Sequence, residues 1–456
     1  MKNDSPVPLI HRAFLLYLTL TLVACAPQTH FKHSEIRPLP YSTGSADIHY
    51  IEGLRKALAL SPDAPVRVLV AHGMVTNKPE YSEVMQQRLA AKLALVRGIS
   101  SRSVDINRGY TFIPSIGPQP FDGRIPLSPS QIRKTIWVDP NNRNIERLIF
   151  YEMLWAPIRD EVKNRFLACF ESRSVDKKFD CSPLTAAKKN TDTRALVNGF
   201  LKDSVLVDGF ADAIIVLGPI GDVLRDDTTL AMCTIARDII GGQNTFAAQP
   251  LDTRCDLSTF VQDHDAAAAA GRALERTKFF AITHSLGSFL VMDAQQRFAQ
   301  TRAKNNKNDD SQQNKDEIDE TLLFFLTDQS TVYMLANQIA LLQLARFSPE
   351  GCRPHKEYTP CPNRLLRDRP DFLYMEQPLS HMTTYVAFND VNDLLGFELP
   401  PYIADIDFIG TQFVNVSVQN PGLKVPFIFK HPIDAHTRHM DNEAIINAIV
   451  EGIAVP

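Results

Sequence analysis

The sequence has no long basic run. Its 48 Lys and Arg stand against 52 Asp and Glu, for a net charge of −4 spread along the chain. A nucleic-acid partner is therefore not expected, because such partners are held by clustered positive charge. No Cys-x-x-Cys and no Cys/His cluster has zinc-site spacing, so neither a metal nor a cofactor is expected. Near the N-terminus the apolar stretch is only twelve residues, Ala13–Ala24 (AFLLYLTLTLVA), too short to cross a bilayer. No internal repeat is visible, which excludes a solenoid or array.

What is present begins with size. The 456 residues, 44% of them hydrophobic, are enough for one large domain or two to three ordinary ones. Thirty prolines, scattered between apolar segments, indicate many loops. The short apolar stretch follows Lys2, His11 and Arg12 and fits a signal-peptide core over residues 1–24. It ends in Leu22-Val23-Ala24-Cys25, which resembles a bacterial lipobox. That resemblance implies cleavage before Cys25 and acylation of its thiol and amine, anchoring the chain to the membrane surface. Ala26, where an Asp would resemble the inner-membrane retention signal, directs the expectation to the outer membrane. The rival reading is an ordinary secretory signal with a chance Cys.

Six further cysteines, Cys169, Cys181, Cys233, Cys255, Cys352 and Cys361, fall into three local couples. In an exported chain this suggests disulfides, with pairing in sequence order expected among the fifteen possible connectivities. The alternative is six buried thiols.

Residues 25–60 read as a membrane tether and lead-in, and 61–456 as the folded domain. Val66–Met74 (VRVLVAHGM) reads as a buried strand ending at a turn, and Pro79–Val96 as a helix. Arg133–Trp155 reads as a hairpin turning at Pro140-Asn141-Asn142. Residues 158–275 read as a mainly helical insertion or cap, and 303–320 as a mobile polar insertion. Strands follow at Lys278–Ile282, Thr331–Ala336, Thr383–Phe388 and Gln412–Val418. A closing helix has Asp441 or Asn442 as its cap. Strands alternating with helices predict an α/β fold with a largely parallel central sheet flanked by helices.

Between the first of those late strands and its helix stands Thr283-His284-Ser285-Leu286-Gly287. A sharp strand-to-helix turn lifts a Ser hydroxyl off the sheet and needs small residues two positions either side. Gly287 meets that need, whereas Thr283 stands where Gly is usual. Ser285 could instead merely cap the helix. With its strand, the His before Ser and the following helix, the segment resembles the elbow of α/β-hydrolase superfamily lipases and esterases. The resemblance covers strand order from about residue 60 onward, with specific motifs over a small part.

It implies that Ser285 is a nucleophile and that the Leu286 N–H donates to an oxyanion. His72-Gly73-Met74, after an earlier strand, resembles the family's second oxyanion loop, with Met74 N–H as donor and Gly73 allowing close approach. The family order of Ser, acid, His implies an acid in Asn389–Leu394: Asp393, which is favoured, or Asp390. It implies a base among His431, His436 and His439, with His436 favoured. His284 is expected to be a shape element. Trp155 is expected to pack in the core or to line the cleft, and Asn337-Gln338 to face the cleft if they leave the core. The expectation is a lipid-anchored envelope serine hydrolase cleaving a possibly lipid-like ester through an acyl-enzyme. Its rival is an inactive hydrolase-fold lipoprotein that binds or scaffolds in the envelope, which the Thr283 departure favours.

Overall fold

The computed structural model describes residues 37–41, 50–74, 78–106, 109–112, 125–166, 209–241, 264–305, 330–344, 383–399, 412–421, 424–425, 429–430 and 432–454. Residues 1–24, expected to be a signal segment, with Cys25, His431 and residues 306–320, lie outside these.

The chain opens with β1 (Arg37–Tyr41), β2 (Tyr50–Ile51), α1 (Leu54–Leu60), β3 (Val66–Ala71), α2 (Glu83–Lys92) and β4 (Val96–Asp105). A small ribbon of β5 (Tyr110–Phe112) and β6 (Ile125–Leu127) precedes the hairpin β7 (Gln131–Val138) and β8 (Glu146–Leu154). Helices α3 (Ala156–Phe166), α4 (Ala211–Leu217), α5 (Pro219–Gly241) and α6 (His264–Arg276) lead to β9 (Phe279–His284) and α7 (Leu286–Asn305). Then come β10 (Ser330–Leu335), α8 (Ile339–Leu344), β11 (Thr384–Asp390) and β12 (Gln412–Val418). The chain ends with β13 (Lys424–Val425), β14 (Phe429–Lys430), α9 (Pro432–Thr437), a 3-10 turn (Arg438–Asp441), α10 (Glu443–Glu451) and β15 (Ile453–Ala454).

Nine strands form one sheet in the order β1-β12-β11-β10-β9-β3-β8-β7-β4. From β12 to β8 all neighbours are parallel, while β1, β7 and β4 pair antiparallel at the two sides. The mixed α/β architecture with a helical insertion is thus as the alternation predicts.

The apolar runs explain why the sheet lies between two helical layers. In β9, Phe279 and Ala281 join one core while Phe280 and Ile282 join the other; β3, β8, β10 and β11 alternate in the same way. Strands buried on both faces need apolar residues throughout. On one face lie residues of α5, α6 and α7, and on the other residues of α1, α2 and α10. In the 158–275 insertion, α5 packs its Leu224, Leu230, Ile235 and Ala236 into the first core, so this helix is part of the domain's centre and not only a cap. There Asp238 accepts from Lys134 Nζ at 2.7 Å and Arg67 at 2.8 Å with no exposed side-chain surface.

Several boundaries differ from expectation. Pro79–Ser82 form turns before α2, and Ala94 at φ 55° turns the chain into β4, which helical spacing had concealed. The folded unit begins earlier than residue 61: β1 pairs with β12, and Leu54, Ala57 and Leu58 of α1 are buried. Asn442, not Asp441, caps α10, its side chain accepting from Ala444 N–H. Of the six cysteines expected to pair, only Cys233 is among the described residues. It is buried in α5 and disulfide-bonded to a partner outside them.

Among the described residues no helix is long and apolar enough to cross a membrane. Nor does any group of three or more His, Cys, Asp or Glu among them have metal-site geometry.

Candidate active site

In chain order the parallel strands run β3, β8, β9, with β8 and β9 on opposite sides of β3. Loops leaving β3 and β9 therefore stand side by side at the strands' carboxyl ends, the place where open α/β sheets bind ligands. His72-Gly73-Met74 leaves β3, and Ser285 leaves β9.

Ser285 has φ 54°, in the left-handed region that non-glycine residues seldom occupy. Its N–H donates to Leu335 O of β10 at 2.8 Å, and its carbonyl accepts from Ser288 N–H at 3.1 Å, opening α7. A tight strand–turn–helix results. The hydroxyl faces His436 Nε2 at 3.0 Å. On its other side His436 Nδ1 faces Asp393 Oδ2 at 2.9 Å and Oδ1 at 3.0 Å. A neutral imidazole with its proton on Nδ1 satisfies both contacts: it donates to the carboxylate and accepts from the hydroxyl. Burial raises the Asp393 pKa, but the His436 hydrogen bond and charge outweigh it and leave the carboxyl below its ordinary value.

Asp390, the alternative acid, takes a different place. Its Oδ1 accepts from Asn392 N–H at 2.9 Å and its Oδ2 from Asn420 N–H at 2.6 Å. It ties the end of β11 to the loop after β12. Asn420 then donates to Ala435 O at 2.6 Å, next to His436. Sequence reasoning missed Asn420, because an Asn before Pro421 reads only as a turn residue.

The His284 Nε2–H donates to the backbone carbonyl of His436 at 2.9 Å, and His439 Nδ1 lies 3.0 Å from the same oxygen. Burial holds both rings neutral, pushing His284 down to about 3 and His439 to about 4. His284 and His439 thus both contact the backbone of His436.

The loop after β3 touches the Ser285 turn. A Cβ on Gly73 would come 2.3 Å from Ser285 Cβ and 2.7 Å from His284 O. One on Gly287 would come 2.6 Å from both Ala71 O and His72 O. Only glycine lets these two backbones approach so closely. Thr283 is accommodated: it is fully buried beside Ala71 in register, and its Oγ1 lies 2.9 Å from Ser288 Oγ.

His72 is stacked on Trp155, ring centroids 4.8 Å apart. The Trp155 indole N–H donates to His72 O at 3.0 Å, and its backbone N–H donates to His72 Nε2 at 3.2 Å. His72 Nδ1 in turn reaches Gly73 O at 2.8 Å. Burial, with the Arg159 charge, lowers the His72 pKa to about 3 and favours this neutral tautomer. Trp155 is therefore core and support for the loop at once. Met74 and Leu286, the two expected amide donors, are both buried.

Comparisons of the chain with protein-family models, with curated proteins and with solved structures return no match.

Proposed function

We propose that the protein is a serine hydrolase of the α/β-hydrolase type that cleaves carboxylic esters. The observation carrying this reading is the hydrogen-bonded series Ser285–His436–Asp393 on a left-handed strand-to-helix turn. Ser285 Oγ attacks the acyl carbonyl while His436 Nε2 takes its proton, and Asp393 holds and stabilises the imidazolium. The N–H groups of Met74 and Leu286 stabilise the oxyanion. His436 returns the proton to the leaving alcohol. Water, activated by the same His, then releases the acid. The tight contact of Gly73 with Ser285 supports this assignment of the oxyanion loop. An acylated Cys25 at the outer membrane would place the site in the envelope, beside lipid-like esters.

A fluorophosphonate probe tests the reading. Wild type is expected to take the label and Ser285→Ala to refuse it; folded wild type that never labels favours the binding or scaffold reading. Metabolic labelling with an alkynyl fatty acid tests the anchor, and label that persists in Cys25→Ala refutes it.

A further inference from the structure

One fully buried polar side chain near the Ser285 turn has unused capacity. Gln338 follows β10 with no exposed surface. Its Nε2–H is directed to Met74 Sδ at 3.6 Å, a weak contact, and its Oε1 has no hydrogen-bond partner. Buried amide oxygens are nearly always paired, and one that is not calls for a functional account.

The position of this amide is informative. Gln338 lies just beyond the end of β10 and Met74 just beyond the end of β3, while β9 runs between those two strands. Neighbouring strands are about 4.8 Å apart, so a contact between Gln338 and Met74 passes across the end of β9, where Ser285 stands. The backbone there is held firmly. Asn337 Nδ2 donates to Phe397 O at 2.6 Å and lies 3.2 Å from Asn389 Oδ1, and Gln338 O accepts from Leu342 N–H at 2.9 Å.

We infer that Gln338 determines specificity by accepting a hydrogen bond from the substrate's acyl part, and that the enzyme prefers hydroxyacyl esters over plain acyl esters. The inference rests on the hydrolase reading above. An ester with a hydroxyl on the second or third acyl carbon carries a donor within a few ångströms of the scissile carbonyl. Its O–H pairs with Oε1 while the carbonyl lies toward the Met74 and Leu286 amides. An unsubstituted acyl chain leaves Oε1 unpaired in the closed complex. Sites built to receive a substrate donor discriminate strongly against analogues that lack it.

The test compares ethyl 3-hydroxybutanoate with ethyl butanoate, and ethyl lactate with ethyl propanoate, by pH-stat on the full-length protein. Fluorophosphonate labelling of Ser285 runs in parallel. Wild type is expected to favour the hydroxy ester in at least one pair by about tenfold or more in kcat/KM. Gln338→Leu, which keeps an apolar contact with Met74, is expected to bring that ratio near one by raising KM for the hydroxy ester. Gln338→Met serves if the Leu variant fails to fold. Wild type that labels but shows no preference in either pair overturns the inference and leaves the hydrolase reading standing, as would a water occupying the site. A preference that survives both substitutions overturns the assignment to Gln338. Wild type that neither labels nor turns over any ester sinks both.

Discussion

Acid should weaken this protein well before it protonates the carboxylates. His72, His284 and His439 are buried and stay neutral down to about 3, 3 and 4 respectively. Released by unfolding, each would take up a proton near pH 6.5. Between those limits the unfolded state binds more protons, so stability rises with pH and falls as pH drops below about 6.5. From about pH 7.5 to about pH 5, each ring costs about 2 kcal/mol, and the three together about 6 kcal/mol. Domains of this kind have only about 5–15 kcal/mol in total. Asp393, with its lowered pKa, acts in the same direction at lower pH: its contribution is present above the ordinary carboxylate value and is lost on further acidification. Urea unfolding followed by fluorescence should therefore show a midpoint that falls steeply between about pH 7 and about pH 5. His439→Asn should remove about a third of that slope, since the other two rings remain. A midpoint unchanged across this range, or a slope indifferent to all three histidines, would refute the reasoning.

Three other outcomes are expected. Gly287→Ala drives a methyl about 0.8 Å inside ordinary contact with two backbone oxygens; it should cost about 1–3 kcal/mol of stability and, by shifting the oxyanion loop, about a hundredfold in ester turnover. On the hydrolase reading, Asp393→Asn should lower kcat by about ten-thousand-fold, with a loss of stability from the carboxylate that His436 stabilises, whereas Asp390→Asn should cost about 10- to 100-fold through a displaced His436; equal losses would contradict the division of roles. Asp238→Asn leaves Arg67 and Lys134 without their buried carboxylate and should destabilise the fold by about 3–5 kcal/mol in urea titration.

The legible parts of the fold were those whose side chains face one environment. β12 spans Gln412–Val418 as expected, and the Arg133–Trp155 hairpin turns where Pro140-Asn141-Asn142 indicates. β4 was hidden because it is an edge strand with polar residues such as Arg102, Ser103 and Asp105. β1 was hidden because its two prolines read as loop. At the site, Ser285, His436 and Asp393 were legible through order along the chain, and the structure brings their side chains together. Order could not choose between Asp390, which ends β11, and Asp393, three residues beyond it, since side-chain direction is what separates them. The supports, Asn420 and Trp155, were not legible as supports, because they act through backbone atoms of residues distant in sequence.

The strand β1 has one more consequence. Proline has no N–H to give a ladder, so the bonding pairs with β12 fall at Arg37, Leu39 and Tyr41, and Pro38 and Pro40 look outward. The outer rim of the sheet therefore offers carbonyls at those two positions and no amide hydrogens. An incoming strand would find half of its bonds refused there, so this rim is closed to sheet-to-sheet association of copies and to recruitment of an extended peptide.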